Sequence, residues 1–265
     1  MGVQSKLLMA GCALAWSGAA LADTSPICAA RPGKATPACT VPATDFQVET
    51  GLVDWSKQDS GGERDTSLTI AETVFKYGLS SRSDIEFDVT PWEQNRSSSG
   101  GMHQTASGFS DLSLLYKYRI SSKDAALQLA VQPYVTIPTA KHSLGSGKVE
   151  AGLLVPIGYT LGNSPFSLGT TPEIDWVTDA DGHGHHASME QVVSLGLAAS
   201  KRLSLGAELW GQWDWDPSGT GKQYTADATI AYLANDNLQL DAGANFGLNS
   251  QTPGIELYTG ISVRF

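Results

Sequence analysis

The sequence has few cysteines, little positive charge and, after residue 22, no long apolar run. It contains 17 Lys and Arg against 27 Asp and Glu, a formal net charge of −10. Nucleic acids bind to basic surfaces, so this balance disfavours a nucleic-acid partner. No stretch after residue 22 approaches the length of uncharged apolar sequence that a transmembrane helix needs, so we predict no such helix there.

The first 22 residues have the pattern of a secretory signal peptide. Lys6 precedes an uncharged, mostly apolar run over 7–21. This run is short for a membrane-spanning helix, which needs about 20 residues, and Ala20-Leu21-Ala22 is a small-x-small cleavage pattern. We therefore expect 1–22 to be removed. The alternatives are an uncleaved anchor and a lipoprotein, because Met9-Ala10-Gly11-Cys12 resembles a lipobox, although the apolar core before it is short.

Two cysteines, Cys28 and Cys39, remain after this cleavage, in a segment over 23–44 that carries four prolines. A short loop in an oxidising compartment favours a disulfide, which loop-entropy estimates value at about 2–3 kcal/mol. The alternative is a pair of free thiols in a floppy tail. We expect 23–44 to be a Pro-rich periplasmic segment that precedes the folded domain.

From residue 45 to the end, apolar residues alternate with small or polar ones. The last segment illustrates the alternation: one face consists of Ile255, Leu257, Thr259, Ile261, Val263 and Phe265, and the other of Glu256, Tyr258, Gly260, Ser262 and Arg264. A water-facing sheet would carry Lys, Thr and Glu on its polar face, whereas this chain has Gly, Ser, Asn and isolated acids. Alternating segments of about 10 residues, apolar outward and polar inward, are typical of transmembrane barrels.

Twelve such segments predict an all-β fold over 45–265, a closed antiparallel up-and-down transmembrane β-barrel of about 12 strands. The predicted strands are 45–55, 65–79, 83–93, 108–120, 126–138, 149–161, 166–178, 189–200, 203–215, 223–233, 238–248 and 255–265. Their connections alternate between short ones and longer ones, the latter at 56–64, 94–107, 139–148, 179–188, 216–222 and 249–254. Because outer-membrane barrels have short periplasmic turns and longer extracellular loops, we expect both termini in the periplasm.

Aromatic residues collect near the predicted strand ends, as the two interfacial girdles of a membrane barrel do. Near the short turns these are Phe75, Tyr77, Tyr116 and Tyr118, and near the long loops Trp55, Trp92, Trp176, Trp213 and Trp215. Phe265 is the last residue and lies on the apolar face of the last strand. We expect it to be an assembly signal for the barrel-assembly machinery.

Two neighbouring predicted strands carry a family resemblance. Gly108-Phe109-Ser110-Asp111-Leu112 is followed by Leu115-Tyr116-Lys117-Tyr118-Arg119, and the next strand contains Pro133-Tyr134-Val135-Thr136-Ile137-Pro138-Thr139. These motifs resemble the outer-membrane transporter family labelled "meta-pathway of phenol degradation", with Ala140 where the family usually has Gly. The resemblance implies a channel-like barrel, loosely associated with uptake of aromatic or other small apolar compounds.

The polar faces provide the candidate lumen-lining residues, in which acids outnumber bases. They are Glu72, Glu86, Asp88, Asp111, Lys117, Arg119, Glu150, Glu173, Asp175, Glu208, Asp227, Asp241, Glu256 and Arg264. Rings of acids in a pore favour cations over anions. A barrel of this size lies between filled and open ones, so the alternative is a plugged interior in which these groups pair in a structural network.

Three histidines, His183, His185 and His186, follow two aspartates in a Gly-rich loop over 179–186. Imidazoles and carboxylates this close could bind Zn(II) or Cu(II). The glycines favour a flexible, solvated loop, so these histidines are weak metal candidates. We expect no bound metal and no cofactor.

These patterns together favour an outer-membrane channel in a Gram-negative envelope, for passive uptake of a small-molecule solute. Outer-membrane lipid and the assembly machinery are the expected partners. The alternatives are a structural or adhesive barrel with binding loops and, least favoured, an outer-membrane hydrolase. A phospholipase would need a Ser and a His on the lipid face, whereas a protease at the outer rim could use Asp214, Asp216 and His183. We expect no enzymatic activity.

Overall fold

Every regular element of the computed structural model, which describes residues 26–141 and 143–265, is a β-strand. No helix in this part of the chain is long and apolar enough to cross a membrane. The strands are β1 (Phe46–Ser60), β2 (Glu63–Ser80), β3 (Ser83–Val89), β4 (Trp92–Ser99), β5 (Met102–Gly108), β6 (Leu112–Arg119), β7 (Leu127–Ile137), β8 (Glu150–Leu154), β9 (Ile157–Thr160), β10 (Phe166–Thr178), β11 (His185–Ala198), β12 (Leu203–Asp216), β13 (Gly219–Asn235), β14 (Leu238–Gly247) and β15 (Ile255–Arg264). The predicted signal peptide lies outside the described residues.

These segments form the expected closed antiparallel barrel of twelve strands. Three barrel strands are each interrupted once, between β3 and β4, between β5 and β6, and between β8 and β9. Pro91 and Pro156 lie at two of the interruptions, where a residue without an N–H cannot donate to the ladder. The last strand, β15, pairs with β1 from Gln47↔Arg264 to Lys57↔Ile255. This pairing joins the first and last strands and so closes the barrel, since hydrocarbon would not tolerate an open sheet edge.

The prediction was wrong about three of the long connections. At 56–64, 94–107 and 216–222 the strands continue to two-residue turns, of which Gly61-Gly62 and Gly100-Gly101 have positive φ at both residues. Such turns match the twist of a hairpin. The alternation of apolar and polar residues ends before the strands of these hairpins end. The hairpins extend beyond the apolar band of the barrel, where neither face of a strand has to be apolar.

The distribution of side chains between the two faces is that of a membrane barrel. Large apolar residues cover the outside: Ile174, Val193 and Leu209 are 56%, 53% and 62% exposed. Charged residues fill the inside, where Lys76 and Glu49 are only 2% and 1% exposed. An apolar outer band with a polar interior is what lipid on one side requires.

The inward–outward alternation of side chains along β1 is interrupted at Leu52, where β1 pairs with β15 and β2. Leu52 is skipped in the register with both β15 and β2. Ala71, opposite it in β2, is also skipped and has a left-handed φ of 59°. Leu52 and Val53 therefore both face outward. Asp54 pairs with Tyr258 and faces the interior, which strict alternation from Glu49 would not predict.

The two ends of the barrel differ. We call the end with the connections 81–82, 120–126, 161–165, 199–202 and 236–237 the turn end, and the opposite end the loop end. The longest connections of the loop end are 138–149, 179–184 and 248–254. At the turn end, Phe46 and Phe265 exchange backbone hydrogen bonds across the seam between the first and last strands.

Candidate functional site: the barrel interior

Residues 26–44, which we call the plug segment, lie within the barrel at its turn end. The Cys28–Cys39 disulfide closes this segment into a loop, as the sequence predicted. The Ile27 amide donates to the Asp236 carbonyl, and the Val41 amide donates to Asp84 Oδ2 over 2.7 Å. Because these contacts involve β3 and the β13–β14 turn, the segment spans the lumen from one wall to another.

Arg31 fixes the plug segment to β1, β14 and β15. Its Nη2 lies 3.3 Å from Asp241 Oδ1, and its guanidinium lies 5.9 Å from the centre of the Tyr258 ring. The backbone amides of Ala30 and Arg31 both donate to Glu49 Oε2, over 2.9 and 3.2 Å. A buried carboxylate with several donors is well compensated.

Lys34 fixes the same segment to β12 and β13. Its Nζ lies 3.3 Å from Asp227 Oδ2 and 5.3 Å from the centre of the Trp210 ring. Its backbone amide donates to Glu208 Oε2 over 2.7 Å. Three acids of the wall, Glu208, Asp227 and Asp241, therefore bind the plug segment rather than facing an empty pore.

Two strand glycines make room for this segment. A Cβ at Gly260 would overlap the Arg31 guanidinium, and a Cβ at Gly78 would overlap the Pro42 carbonyl. Glycine within a strand weakens it and often marks a close approach of another backbone. These glycines are therefore explained by the plug segment.

A chain of buried ion pairs lines the wall from β1 to β6. Lys76 Nζ lies 2.6 Å from Glu49 Oε1 and 3.5 Å from Glu86 Oε2, and Lys117 Nζ lies 3.2 Å from Glu86 Oε1. The four side chains are almost completely removed from solvent. Charges this deeply buried are tolerated only when they are paired, so this part of the interior is a structural network.

The opposite wall, on β10 and β11, carries three neighbouring acids. Glu173 and Glu190 are direct cross-strand neighbours, and Asp175 lies two residues further along β10. The Tyr134 hydroxyl donates to Asp175 Oδ1 over 2.7 Å, and Trp210 Nε1 donates to Glu190 Oε2 over 3.0 Å. In the described part of the chain, no Lys or Arg forms an ion pair with these three carboxylates, which we call the acidic wall.

A cavity of about 1270 Å³ lies at the turn end, between the plug segment and the barrel wall. On the barrel side its lining consists largely of small residues, among them Gly158, Ser167, Gly169, Ser194, Gly196, Ser204 and Gly206. The plug segment therefore does not fill the cross-section of the barrel.

The predicted lumen residues divide into groups with different surroundings. Asp111 accepts the amides of Ala140 and Ser146 over 2.8 and 3.1 Å and so anchors the 138–149 connection. Glu150 accepts the Thr178 amide over 2.8 Å, and Arg119 donates to the Ser81 carbonyl over 2.6 Å. The side chains of these three residues therefore form hydrogen bonds with backbone groups of connections or strand ends.

Two more of the predicted bases behave differently from each other. Arg264 contacts Asn237 and Asp45, whereas Lys117 pairs with Glu86 in the structural network. The predicted alternative was a structural network of the interior charges, among them Lys117, Arg119 and Arg264. It agrees with the Lys117–Glu86 pair between β6 and β3. It does not include Arg31 and Lys34, the two bases that hold the plug segment.

Sequence reasoning missed Arg31, Lys34, Asp54 and Glu190. A signal for the first two was present, because they are the two bases in 23–44 and the predicted interior has an excess of acid. Asp54 was missed because the irregularity at Leu52 shifts the register of β1. No local sequence feature predicts this irregularity.

The three candidate histidines have separate surroundings. His183 is exposed, and His185 contacts the Val149 carbonyl through Nε2 and stacks on Trp176. His186 is buried and contacts Asp179 through Nδ1 and Asp214 through Nε2. The rim arrangement with Asp214 and Asp216 thus involves His186, and not His183 as the protease alternative assumed.

Comparisons with known proteins agree with this architecture. An outer membrane channel from Pseudomonas putida F1 superposes with a TM-score of 0.70 and 18% identity, over 88% of this chain and 99% of that chain. The NanC porin superposes with a TM-score of 0.51 and 10% identity, over 83% of this chain and 98% of that chain. The transport unit of the autotransporter AIDA-I from Escherichia coli superposes with a TM-score of 0.54 and 8% identity, over 84% of this chain and 90% of that chain. At these identities the likeness shows the fold.

No curated protein sequence is significantly similar to this chain. The family resemblance seen in two strands extends along nearly the whole barrel, because residues 29–265 match one family pattern. The chain folds as an outer-membrane β-barrel and belongs to the family described as "Putative MetA-pathway of phenol degradation".

Proposed function

We propose that this protein is a passive channel of the bacterial outer membrane, for small neutral or cationic solutes, and has no enzymatic activity. In this proposal the signal peptide directs export, and the turn end faces the periplasm. The plug segment narrows the lumen from that side and leaves a path along the opposite wall.

The observation that carries the proposal is the cavity of about 1270 Å³ beside the plug segment. Ligand pockets for small molecules commonly have volumes of roughly 300–1,000 Å³, so small solutes fit. A barrel of about twelve strands lies between side-chain-filled and open ones, so the cavity, rather than the strand number, supports a path for solutes. The small residues along the cavity wall support a path for solutes.

The acidic wall supports the preference for cations. Glu173, Asp175 and Glu190 lie in the low-dielectric interior, and no Lys or Arg of the described residues forms an ion pair with them. Such walls strengthen the field of each carboxylate, and acids lining a pore attract cations and repel anions. Several other interior acids are paired or bind backbone. Glu72, Asp88 and Glu256 form no ion pair with Lys or Arg in the described part of the chain, so they add to the uncompensated charge of this wall.

Aromatic solutes are the class that we propose to test first. The family description refers to phenol degradation, and Tyr134, Trp210 and Tyr258 place aromatic side chains in the interior. Tyr134 and Trp210 are partly exposed, so a neutral phenol-sized molecule can stack on these two rings. The Tyr258 ring is buried beneath Arg31. An aromatic carboxylate of the same size would be repelled by the acidic wall.

Single-channel recording in planar bilayers tests the proposal. Under a KCl gradient we expect a reversal potential that indicates a preference for cations. The double substitution Glu173→Gln with Glu190→Gln should reduce this preference. Glu63→Gln, at an exposed hairpin tip, is the matched control and should change nothing. Phenol should reduce the open-channel current more than benzoate does.

Two results would overturn the proposal. One is chloride selectivity of the unaltered protein. The other is an absence of conductance, both in the unaltered protein and after the plug contacts are removed by Arg31→Gln with Lys34→Gln. The second result would favour a structural or adhesive barrel.

A further inference from the structure

The loop end carries a cluster of one histidine and three aspartates, which we call the rim cluster. Asp179 belongs to the β10–β11 connection, His186 lies near the start of β11, and Asp214 and Asp216 lie near the end of β12. His186 Nδ1 lies 2.9 Å from Asp179 Oδ1 and 3.5 Å from Asp216 Oδ2. His186 Nε2 contacts Asp214 Oδ1.

We propose that the rim cluster binds a divalent transition-metal cation of the Zn²⁺ type, with His186 Nδ1, Asp179 and Asp216 as ligands. One ligand atom from each of these residues lies within 4.8 Å of the others. Tetrahedral zinc with bonds of about 2.0–2.1 Å separates its ligand atoms by roughly 3.3 Å. The separations of 2.9 and 3.5 Å lie on either side of this value, so a cation fits after small shifts.

Asp214 is a positioning residue in this proposal. A neutral imidazole that donates from Nε2 to a carboxylate presents its Nδ1 lone pair to a cation. Histidines that bind metals almost always make such a contact with their other ring nitrogen. His186 is only 8% exposed, so its ring is held in this orientation.

The charge of the cluster also calls for a cation. Three carboxylates surround one imidazole, and no Lys or Arg within residues 26–141 or 143–265 forms an ion pair with Asp179, Asp214 or Asp216. Three carboxylates and one imidazolium would together still carry a formal charge of about −2 by simple counting. A divalent cation compensates this charge better than a proton does.

Backbone amides hold Asp216 in place, and the absence of a side chain at Gly184 leaves room for Asp179. The Ala180 amide donates to Asp216 Oδ2 over 2.7 Å, and the Ser218 amide donates to Asp216 Oδ1 over 2.7 Å. A Cβ at Gly184 would overlap the Asp179 carboxylate. The nitrogen ligand favours zinc, cobalt or nickel over calcium and magnesium, which prefer oxygen ligands.

Titration of the full-length folded protein in detergent, after EDTA treatment, tests this site. We expect one equivalent of Zn²⁺ in calorimetry and a visible absorption band with Co²⁺. His186→Gln and Asp179→Asn should each weaken Zn²⁺ binding by at least tenfold, and Asp214→Asn by about 10–100-fold, as for other supporting carboxylates. His183→Gln, in the same loop but exposed, should leave the affinity unchanged.

The controls separate loss of binding from loss of folding. Heat-modifiable migration in SDS gels reports the folded barrel, and if His186→Gln does not fold, Asp179→Asn decides. Absence of saturable Zn²⁺ binding to the unaltered protein would overturn the proposal. So would unchanged affinity in folded His186→Gln or Asp179→Asn, or an equal loss in His183→Gln. These measurements are independent of whether the barrel conducts.

Discussion

Arg31 and Asp241 form an ion pair inside the barrel although they are 210 residues apart in sequence, with 3.3 Å between Nη2 and Oδ1. The Asp241 side chain is completely buried, whereas that of Arg31 keeps some contact with solvent. Lys34 and Asp227 repeat this arrangement on β13. The plug segment thus supplies two cations that compensate two acids of the wall, and it does so without joining the sheet.

Loss of both cations should loosen the plug segment. In Arg31→Gln with Lys34→Gln, Asp227 and Asp241 lose their basic partners, and a carboxylate left unpaired in a buried site is costly. We expect a larger and noisier single-channel conductance, together with a stronger preference for cations. Arg64→Gln, which removes an exposed cation that pairs with Asp59, is the control. Unchanged conductance and selectivity in the double variant would contradict this role.

The disulfide should restrict the same segment without stabilising the barrel wall. Cys28 and Cys39 are 11 residues apart, and closing a loop of this size removes conformational entropy worth roughly 3 kcal/mol from the open segment. Replacing both cysteines by serine, or reducing the protein, should increase fluctuations of the current. The temperature of heat-modifiable migration should change little, because the segment forms no strand pairing. Identical current traces before and after reduction would show that the disulfide does not limit the segment.

The architecture was predictable because lipid imposes a strict rule on the strands. Each strand needs an apolar outer face within the bilayer, so the alternation over 45–265 predicts the number, direction and inner face of the strands. The rule stops at the edge of the bilayer. The hairpins around Gly61-Gly62 and Gly100-Gly101 therefore carry no alternation, and only their Gly-Gly turns indicate them.

The interior was less predictable, since its contacts join residues distant in sequence. The contact between Arg31 and Asp241 depends on how the plug segment folds back into the closed barrel. No local sequence pattern specifies that path. The rim cluster shows the same difficulty. Spacing singled out 179–186, but only the β11–β12 register brings Asp214 and Asp216 to His186 and leaves His183 outside.

The Glu49–Lys76–Glu86–Lys117 network should contribute strongly to barrel stability. Lys76→Met removes the cation between Glu49 and Glu86, and breaking a buried pair by removing one partner destabilises by about 3–5 kcal/mol. We expect unfolding at a lower urea concentration in detergent and a lower temperature of heat-modifiable migration. Lys57→Met, at a more exposed pair with Asp59, is the control and should shift stability much less, since exposed ion pairs contribute little.

A second substitution distinguishes charge from packing in this network. Adding Glu49→Gln to Lys76→Met removes the carboxylate that Lys76 leaves uncompensated, so part of the lost stability should return. Packing alone predicts no recovery, because the glutamine has nearly the shape of the glutamate it replaces. Glu49 also accepts the amides of Ala30 and Arg31, and a neutral amide is a weaker acceptor than a carboxylate. The double variant should therefore regain stability while its conductance rises, a combination that a purely structural network separate from the plug segment would not produce.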